Sequence, residues 1–445
     1  MESQAALDRF RALLRIPTIS RSEAAETDWT AFAAFRDELG RQFPRMHTTI
    51  ERETVEEHTL LWRWRGADPA LPPVVLMAHQ DVVDPGRLED WAHPAFDAEI
   101  LDHDGDRVVW GRGTADDKGS LVAICCAIES LLESGHAPAR DVWLVFGHDE
   151  ETHGTGARAA AAVLAERGAT PVFVLDEGGA IVRGFLPGLV RPIAAVGVAE
   201  KGVGNYRLAV KEQGGHASAP PPLSAIGRLA RAITRIDRAP FRSRLPGPMR
   251  EMFRAAGRAA TGMRGWLYRN VRVTAPILLA ALRSTSPESR AMTGTSRVAT
   301  VIHGGHAQNA IPERAEAIVN ARIAPGESLD TVLAHLRRAV DDPLVVVELE
   351  SGWNPSPVAP TSGFGWELLA STLAALRPDA VIAPYQQNGA TDSRSFTALT
   401  PNVYRFTPFE LSDAERGALH AVDERIRVDS WLGGVEIYRE LIARL

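Results

Sequence analysis

Val74-Val75-Leu76-Met77-Ala78-His79-Gln80-Asp81 is the stretch on which the reading of this chain turns. An apolar run ends abruptly in a histidine and an aspartate. Two other stretches repeat the pattern: Val142-Trp143-Leu144-Val145-Phe146 leads into Gly147-His148-Asp149-Glu150-Glu151, and Val172-Phe173-Val174-Leu175 leads into Asp176-Glu177-Gly178-Gly179. Short continuous apolar runs read as strands buried on both faces, which is how parallel strands of an α/β sheet look. Ligands in such sheets gather outside the carboxyl ends of the strands. Here those ends carry acids, and carboxylates gathered in one cleft need a counter-charge. A pair of divalent cations is the simplest one.

The chain of 445 residues is too long for one ordinary core, so two domains are expected. A hydrophobic fraction of 45% and a charged fraction of 24% are those of a soluble globular protein. The formal net charge of −7 argues against a dedicated nucleic-acid binder, and no run approaches the length of a membrane span. Met1-Glu2-Ser3-Gln4 has no basic segment followed by an apolar stretch, so a cytoplasmic location is expected. Cys125 and Cys126 are adjacent on a predicted helix, where neighbours do not face each other, so they are not expected to form a disulfide.

Residues 1 to about 201 alternate helical and strand patterns in the manner of βαβ units. A helix is expected from Asp28 to Leu39, then an exposed strand pair, Thr59–Trp64 with Pro73–Met77. Leu101-Asp102-His103-Asp104-Gly105-Asp106 reads as a hairpin turn rather than a calcium loop, because no loop-closing glutamate follows at the required offset. Gly119 to Glu133 has helical spacing.

From Gly202 the grammar changes. Asn205–Val210 alternates as a strand, Ser224–Ile236 is helical, and Val298–Ile302 and Ala317–Ile323 read as a hairpin. Ser328–Val340 is helical and Val345–Glu350 is a last strand. That order, βαββαβ, is the ferredoxin-like motif. Acid-bearing sequence lies on both sides of it, so residues 202–352 are expected as a small domain inserted between 1–201 and 353–445. Within the insert, 240–290 is an additional arginine-rich stretch with Met249, Met252, Phe253, Met263, Trp266 and Leu267 interspersed. It reads as amphipathic helices packed on the small domain. An apolar cap over a lipophilic substrate, or a basic face touching membranes or nucleic acid, are the other readings.

The chemistry-bearing clusters follow from spacing. His79 and Asp81, two apart in an extended segment, point to the same side, so Asp81 can accept from the imidazole and leave its other nitrogen to ligate a metal. Gly111-Arg112-Gly113-Thr114-Ala115-Asp116-Asp117-Lys118 resembles a phosphate loop but lacks the glycine immediately before the lysine. Two carboxylates there would repel phosphate, so an acid at the head of a helix is better read as a cation ligand. Glu150-Glu151 allows a division of labour, one residue ligating and the other free to take a proton from water. Asp176 repeats the strand-end arrangement.

Together the motifs resemble, in order and nearly end to end, the zinc-dependent exopeptidase and aminoacylase family that includes carboxypeptidase S, glutamate carboxypeptidase, aminoacylase and succinyl-diaminopimelate desuccinylase. The resemblance is carried by Met77–Val83, Trp110–Lys118, Gly147–Glu151, Asp176–Gly179, Gly214-Gly215-His216-Ala217-Ser218, Asn309–Pro312, Asn320–Ile323, Gly389-Ala390-Thr391-Asp392-Ser393-Arg394 and the segment ending at His420. Tyr404-Arg405-Phe406-Thr407-Pro408 points to the branch of carboxypeptidase S and the N-fatty-acyl-amino-acid synthase/hydrolases.

The resemblance implies an α/β catalytic domain, a mixed central sheet flanked by helices, with the inserted domain serving as lid and dimerisation unit. It implies two zinc ions per subunit, replaceable by Co²⁺ or Mn²⁺: Asp116 bridging, His79 and Asp176 completing one site, Glu151 and His420 the other. Glu150 is then the general base and Asp81 the partner of His79. His216 would reach the active site of a second subunit in a homodimer. Asn309, Arg322, Gly389 and Arg394 are the candidates to hold the substrate, and a cis peptide is implied between Asp116 and Asp117. The expected activity is hydrolysis of the amide bond of a peptide or N-acyl amino acid with a free carboxylate. The rivals are the reverse synthesis with a lipophilic acid and a catalytically idle, metal-stabilised binding dimer.

Overall fold

In the computed structural model, which describes residues 3–285 and 287–445, the three apolar runs are neighbouring strands of one sheet. The chain forms β1 (Glu51–Val55), β2 (Thr59–Trp64), β3 (Val74–His79), helix α1 (Lys118–Glu133), β4 (Val142–Gly147), β5 (Phe173–Val182) and β6 (Ile193–Glu200). It continues through β7 (Gly202–Lys211), α2 (Ala225–Arg238), α3 (Gly247–Ala259), α4 (Gly262–Arg269), α5 (Val271–Thr285), β8 (Ser296–Gly304), β9 (Arg314–Ile323), α6 (Leu329–Val340) and β10 (Val345–Trp353). It closes with β11 (Val381–Gln387), β12 (Val403–Leu411) and α7 (Val428–Ala443).

The large sheet has eight strands in the order β1-β2-β4-β3-β5-β12-β6-β11. The pairs β3/β4, β3/β5, β5/β12 and β6/β11 are parallel and the others antiparallel, so the sheet is mixed. Every residue of β3 and β4 is buried, as continuous apolar runs require. Behind the sheet, Trp431 of α7 stacks on Phe10 with ring centroids 4.3 Å apart and donates its indole N–H to the Gly119 carbonyl of α1. The last helix thereby closes over the first half of the chain.

Two expectations change here. Thr59–Trp64 and Pro73–Met77 are neither exposed nor partners, because β4 runs between them and both are buried. Leu60, Leu61, Trp62 and Trp64 give β2 apolar side chains on both faces, so it needs a place inside the sheet. The charged β1, Glu51-Arg52-Glu53-Thr54-Val55, takes the edge instead. The hairpin reading is as expected: Asp104 (φ 52°) and Gly105 (φ 87°) supply the two left-handed residues that a two-residue turn demands.

The second sheet has four strands in the order β8-β9-β7-β10, all antiparallel. With α2 and α6 it forms the βαββαβ unit, around its own core of Tyr206, Leu208, Leu229, Ile236, Val319 and Leu336. Ser224 and Ser328 cap its two helices, each hydroxyl accepting a backbone N–H of the first turn.

Of the stretch 240–290, Phe241 packs on that core and stacks on His335, but helix α3 does not. Met249, Met252, Phe253 and Ala256 of α3 share the core of the large sheet, where α3 lies on edge strand β11. An edge strand flanked on one side only leaves an apolar face to cover, and the methionines of α3 cover it. Among the described residues no helix is long and apolar enough to cross a membrane.

Met252 is fully buried and Met263 is 73% exposed. Met252→Ala is expected to destabilise the protein by about 2–5 kcal/mol and Met263→Ala by less than about 0.5 kcal/mol. Urea unfolding of the two variants checks the assignment, and equal losses would contradict it.

Candidate metal centre

The site is assembled where β3 and β4 end side by side. His79 is paired with Gly147 in register, and the Gln80 side chain donates to the Phe146 carbonyl (2.9 Å) and the His58 carbonyl (3.0 Å), tying the two strand ends together. The His79 imidazole lies with Nδ1 2.9 Å from the Asp81 carbonyl and 3.4 Å from its carboxylate. Nδ1–H therefore donates toward Asp81, which leaves Nε2 facing the cleft. The Asp81 carboxylate has further work: it accepts from the Ser20 hydroxyl (2.7 Å) and from the backbone N–H groups of Glu150 (3.2 Å) and Glu151 (3.1 Å). One buried carboxylate thus orients the histidine and fixes the turn that carries both glutamates.

Asp116 stands between two imidazoles. Its Oδ1 is 3.1 Å from His79 Nε2 and its Oδ2 is 2.8 Å from His420 Nε2. His420 Nε2 is also 3.2 Å from Glu151 Oε2, and His79 Nε2 is 3.8 Å from Glu177 Oε1. His420 itself takes a left-handed backbone conformation (φ 60°), which turns its ring from the loop after β12 back toward Asp116. The peptide Asp116–Asp117 is cis, as the resemblance implies.

The loop that bears Asp116 is held by a residue from the far end of the chain. Glu424 is fully buried and accepts from Arg112 (2.7 Å) and from the backbone N–H groups of Gly113 (3.1 Å), Ala115 (3.0 Å) and Asp116 (3.3 Å). Spacing alone did not mark Glu424, although it lies in the same segment as His420.

Among the described residues, two sets of three ligand atoms lie within 4.8 Å of one another: His79, Asp116 and Glu151, and His79, Asp117 and Glu177. Asp176 belongs to neither. Its oxygens accept from the Glu177 N–H (2.9 Å) and the Ser393 N–H (2.8 Å). Asp176 and Glu177 sit where β5 breaks register with β12, and the side chain of the two that meets His79 is Glu177, at 3.8 Å. Both faces of β5 are buried, and so the apolar run preceding it carried no phase from which this was readable.

The electrostatics are those of too many acids in one place. Burial, then mutual repulsion, raises the carboxyl pKa of Glu150, Glu151, Asp117 and Glu177, and pushes Asp392 up to about 8. Burial opposes protonation of His79, but hydrogen bonds to Asp116 and Asp81 carry its pKa well above the ordinary value. Hydrogen bonds to Asp116 and Glu151 push His420 up to about 10. Asp116, facing both imidazoles, is held low despite its burial.

The other expected residues lie outside this cluster. His216 is exposed, with Nδ1 2.7 Å from the Ser218 hydroxyl, on a two-residue strand paired with Ala310–Ile311 beside Asn309. Arg322 is exposed on β9, and Gly389 is exposed after β11. Arg394 is nearer. It donates to the Thr391 carbonyl (2.7 Å), stacks over Trp353 at 4.7 Å and stands against Gly154 at the end of the glutamate turn.

The chain matches the model of peptidase family M20/M25/M40 over residues 75–444 and belongs to that family. It is 36% identical to the probable carboxypeptidase S-like 2 of Dictyostelium discoideum, over 96% of this chain and 82% of that one. It is 35% identical to the N-fatty-acyl-amino acid synthase/hydrolase PM20D1 of Homo sapiens, over 99% of this chain and 88% of that one. Among solved structures it resembles the M20 family metallo-carboxypeptidase Sso-CP2 from Sulfolobus solfataricus, with a TM-score of 0.70 at 16% identity over 98% of both chains. The Bacillus subtilis YXEP protein, a dinuclear metal-binding peptidase of the M20 family, matches with a TM-score of 0.61 at 14% identity, over 99% of this chain and 97% of that one.

The pKa directions set a pH dependence for protein stripped by chelator. Glu150, Glu151, Asp117, Glu177 and Asp392 hold protons in the metal-free fold at pH values where they are ionised when unfolded. Groups of raised folded pKa contribute stability that is present below their unfolded value, roughly 4 for carboxyls, and lost as pH rises through the folded one. His79 and His420, raised by their acidic partners, act with the same sign; Lys118 and Lys201, pushed down by burial to about 7 and about 8, act with the opposite sign but are outnumbered by these groups. The melting temperature of chelator-treated protein is therefore expected to fall as pH is raised from about 6 to about 8.5. A rise across that interval, read by calorimetry, would contradict the site's charge balance.

Proposed function

We propose that this chain is a dizinc hydrolase of the amide bond in a peptide or N-acyl amino acid with a free carboxylate. The observation that carries the reading is Asp116, each of whose oxygens faces a different histidine, with Glu150 on the adjoining turn. The donor set fits the metal: imidazole nitrogen and carboxylate oxygen suit zinc, and Co²⁺ or Mn²⁺ as substitutes. The acids have little other counter-charge. The ammonium of Lys118, next to them in sequence, is spent on the Leu13 and Ile16 carbonyls, and Glu151 Oε1 is buried without a hydrogen-bond partner.

In this reading His79, Asp116, Glu151, His420 and Glu177 would hold the two ions, Glu177 being favoured over its neighbour Asp176 by its 3.8 Å approach to His79 Nε2. When bound, the ions would polarise the scissile carbonyl and make water a better nucleophile. Glu150 does the proton work. Its raised pKa suits a carboxylate that takes a proton from the attacking water and passes it to the leaving nitrogen. Asp81 positions both His79 and the Glu150 backbone. Arg394, Arg322, Asn309 and Gly389 are the candidates for the substrate carboxylate, and the placement of Arg394 beside the Glu150 turn favours it. The similarity to a synthase/hydrolase of fatty-acyl amino acids supports an N-acyl amino acid as substrate, with synthesis as the same steps reversed.

Residues 202–352 are proposed to act as lid and dimerisation domain, with boundaries at 201/202 and 352/353. His216, exposed and remote in sequence from the ligands, would serve as oxyanion donor to the partner subunit's site.

Three outcomes test the reading on a panel of acyl amino acids. Glu150→Gln should lower kcat by about 10²–10⁴ while retaining zinc. Glu177→Gln should lose zinc on dialysis where Asp176→Asn keeps it, and the reverse pattern of metal content would restore Asp176 to the ligand set. Inactive His216→Ala and Glu150→Ala proteins, exchanged as subunits, should recover about a quarter of wild-type activity, since half the dimers are mixed and each has one complete site. A mixture that stays inactive would place His216 outside the partner's chemistry.

A further inference from the structure

The segment 240–285 contains nine arginines, one acidic residue and no lysine, in a chain whose net charge is −7. Its first helix, α3, is accounted for by the apolar face it buries against the large sheet. The rest is not. Helices α4 and α5 are separated by Asn270, whose N–H donates to the Trp266 carbonyl and whose carbonyl accepts from Thr274 N–H, so the two run on as one bent helical stretch. Tyr268, Val271 and Leu278 face inward.

The outward side is unusual. Met263 is 73% exposed, Trp266 50%, Val273 79% and Ile277 60%. Their spacings of three, seven and four residues put them on one side of a helix. On the same wheel Arg272 and Arg283 follow one edge of that apolar stripe and are exposed, beside Arg269, which is exposed but donates from Nη1 to the Gly257 carbonyl (2.8 Å). Arg264 stands beside Gly188 in the loop between β5 and β6, and two residues on in that loop Val190 is 90% exposed. The one acid of the segment, Glu251, accepts from Thr361 and is on α3.

We infer that this face docks on an anionic lipid surface. An apolar stripe with arginines along its border lies in the plane of a bilayer, side chains such as Trp, Met and Ile entering the acyl boundary and guanidinium groups meeting the headgroup phosphates. The charge excludes the rival occupants. Two copies paired along the stripe would set arginines against arginines with one acid each to relieve them. A nucleic acid would use the arginines and leave the aliphatic side chains uncovered in water. The inference rests on this face alone and stands apart from the metal centre.

Co-sedimentation of the zinc-loaded full chain with vesicles tests it. Vesicles of phosphatidylcholine mixed with phosphatidylglycerol should capture the protein in about 0.1 M salt and release it as salt rises. Vesicles of phosphatidylcholine alone should capture about tenfold less. The double variant Trp266→Glu and Ile277→Glu should lose binding by about tenfold or more, with unchanged melting temperature and unchanged turnover of a short soluble substrate. A second measurement does not depend on that variant folding: brominated lipid should quench the emission that separates wild type from Trp266→Phe. Binding that ignores phosphatidylglycerol, or quenching equal in both proteins, overturns the proposal. So does a double variant that binds as before, or one whose mass falls from dimer to monomer, which would assign the face to self-association.

Discussion

Glu424 accepts hydrogen bonds from Arg112, Gly113, Ala115 and Asp116, and through them one buried carboxylate positions the centre of the site. Glu424 lies four residues after His420, on the segment that returns from the far end of the chain. The same contact therefore sets the loop of Asp116 and the loop of His420 at once. The Asp116 oxygens meet His79 and His420 only if those loops keep their relative height. The Arg112–Glu424 pair is sealed from water, and such a pair loses most when one partner is removed, because the other is left charged and buried. Asp81 does the corresponding task on the opposite side, holding His79 and the Glu150-Glu151 turn together.

Around these two anchors the sheet concentrates acids that no protein group neutralises well. Asp116, Asp117, Glu150, Glu151, Glu177 and Asp392 share a cleft with two imidazoles, and burial leaves most of them inclined to hold protons. A fold selected for stability alone has no reason to assemble this, since each buried acid costs solvation that its neighbours do not return. The arrangement makes sense for a cleft whose missing positive charge arrives as metal, leaving one glutamate free for proton transfer.

The core of the βαββαβ unit is separate from the apolar clusters around the large sheet, and the division explains the arginine-rich stretch. The βαββαβ unit is complete with α2 and α6 over its sheet. Helix α3 packs not there but at the β11 edge of the large sheet. Lys201 stitches the junction, its ammonium donating to the carbonyls of Ala291 (2.6 Å) and Gly294 (2.7 Å) where the stretch returns. The extra helices thus belong by packing to the large sheet while lying in sequence within the small domain.

Much of this was legible in the residues. Continuous apolar runs ending in acids announced buried strands and a site at their carboxyl ends. Alternating and helical periods announced the βαββαβ unit, and the resemblance of the ordered motifs to a known family implied that His79, Asp116, Glu150, Glu151 and His420 share one site. The strand and helix patterns are local signals, each carried within about ten residues, and local physics suffices to write them. Which of Asp176 and Glu177 faces His79 was not legible, because a strand buried on both sides shows no alternation. Nor was the role of Glu424, whose partners are some three hundred residues away, nor the seat of α3, nor the place of β4 between β2 and β3. Those depend on which surfaces meet once the chain is compact, and a contact between distant segments leaves no mark in the spacing of either one.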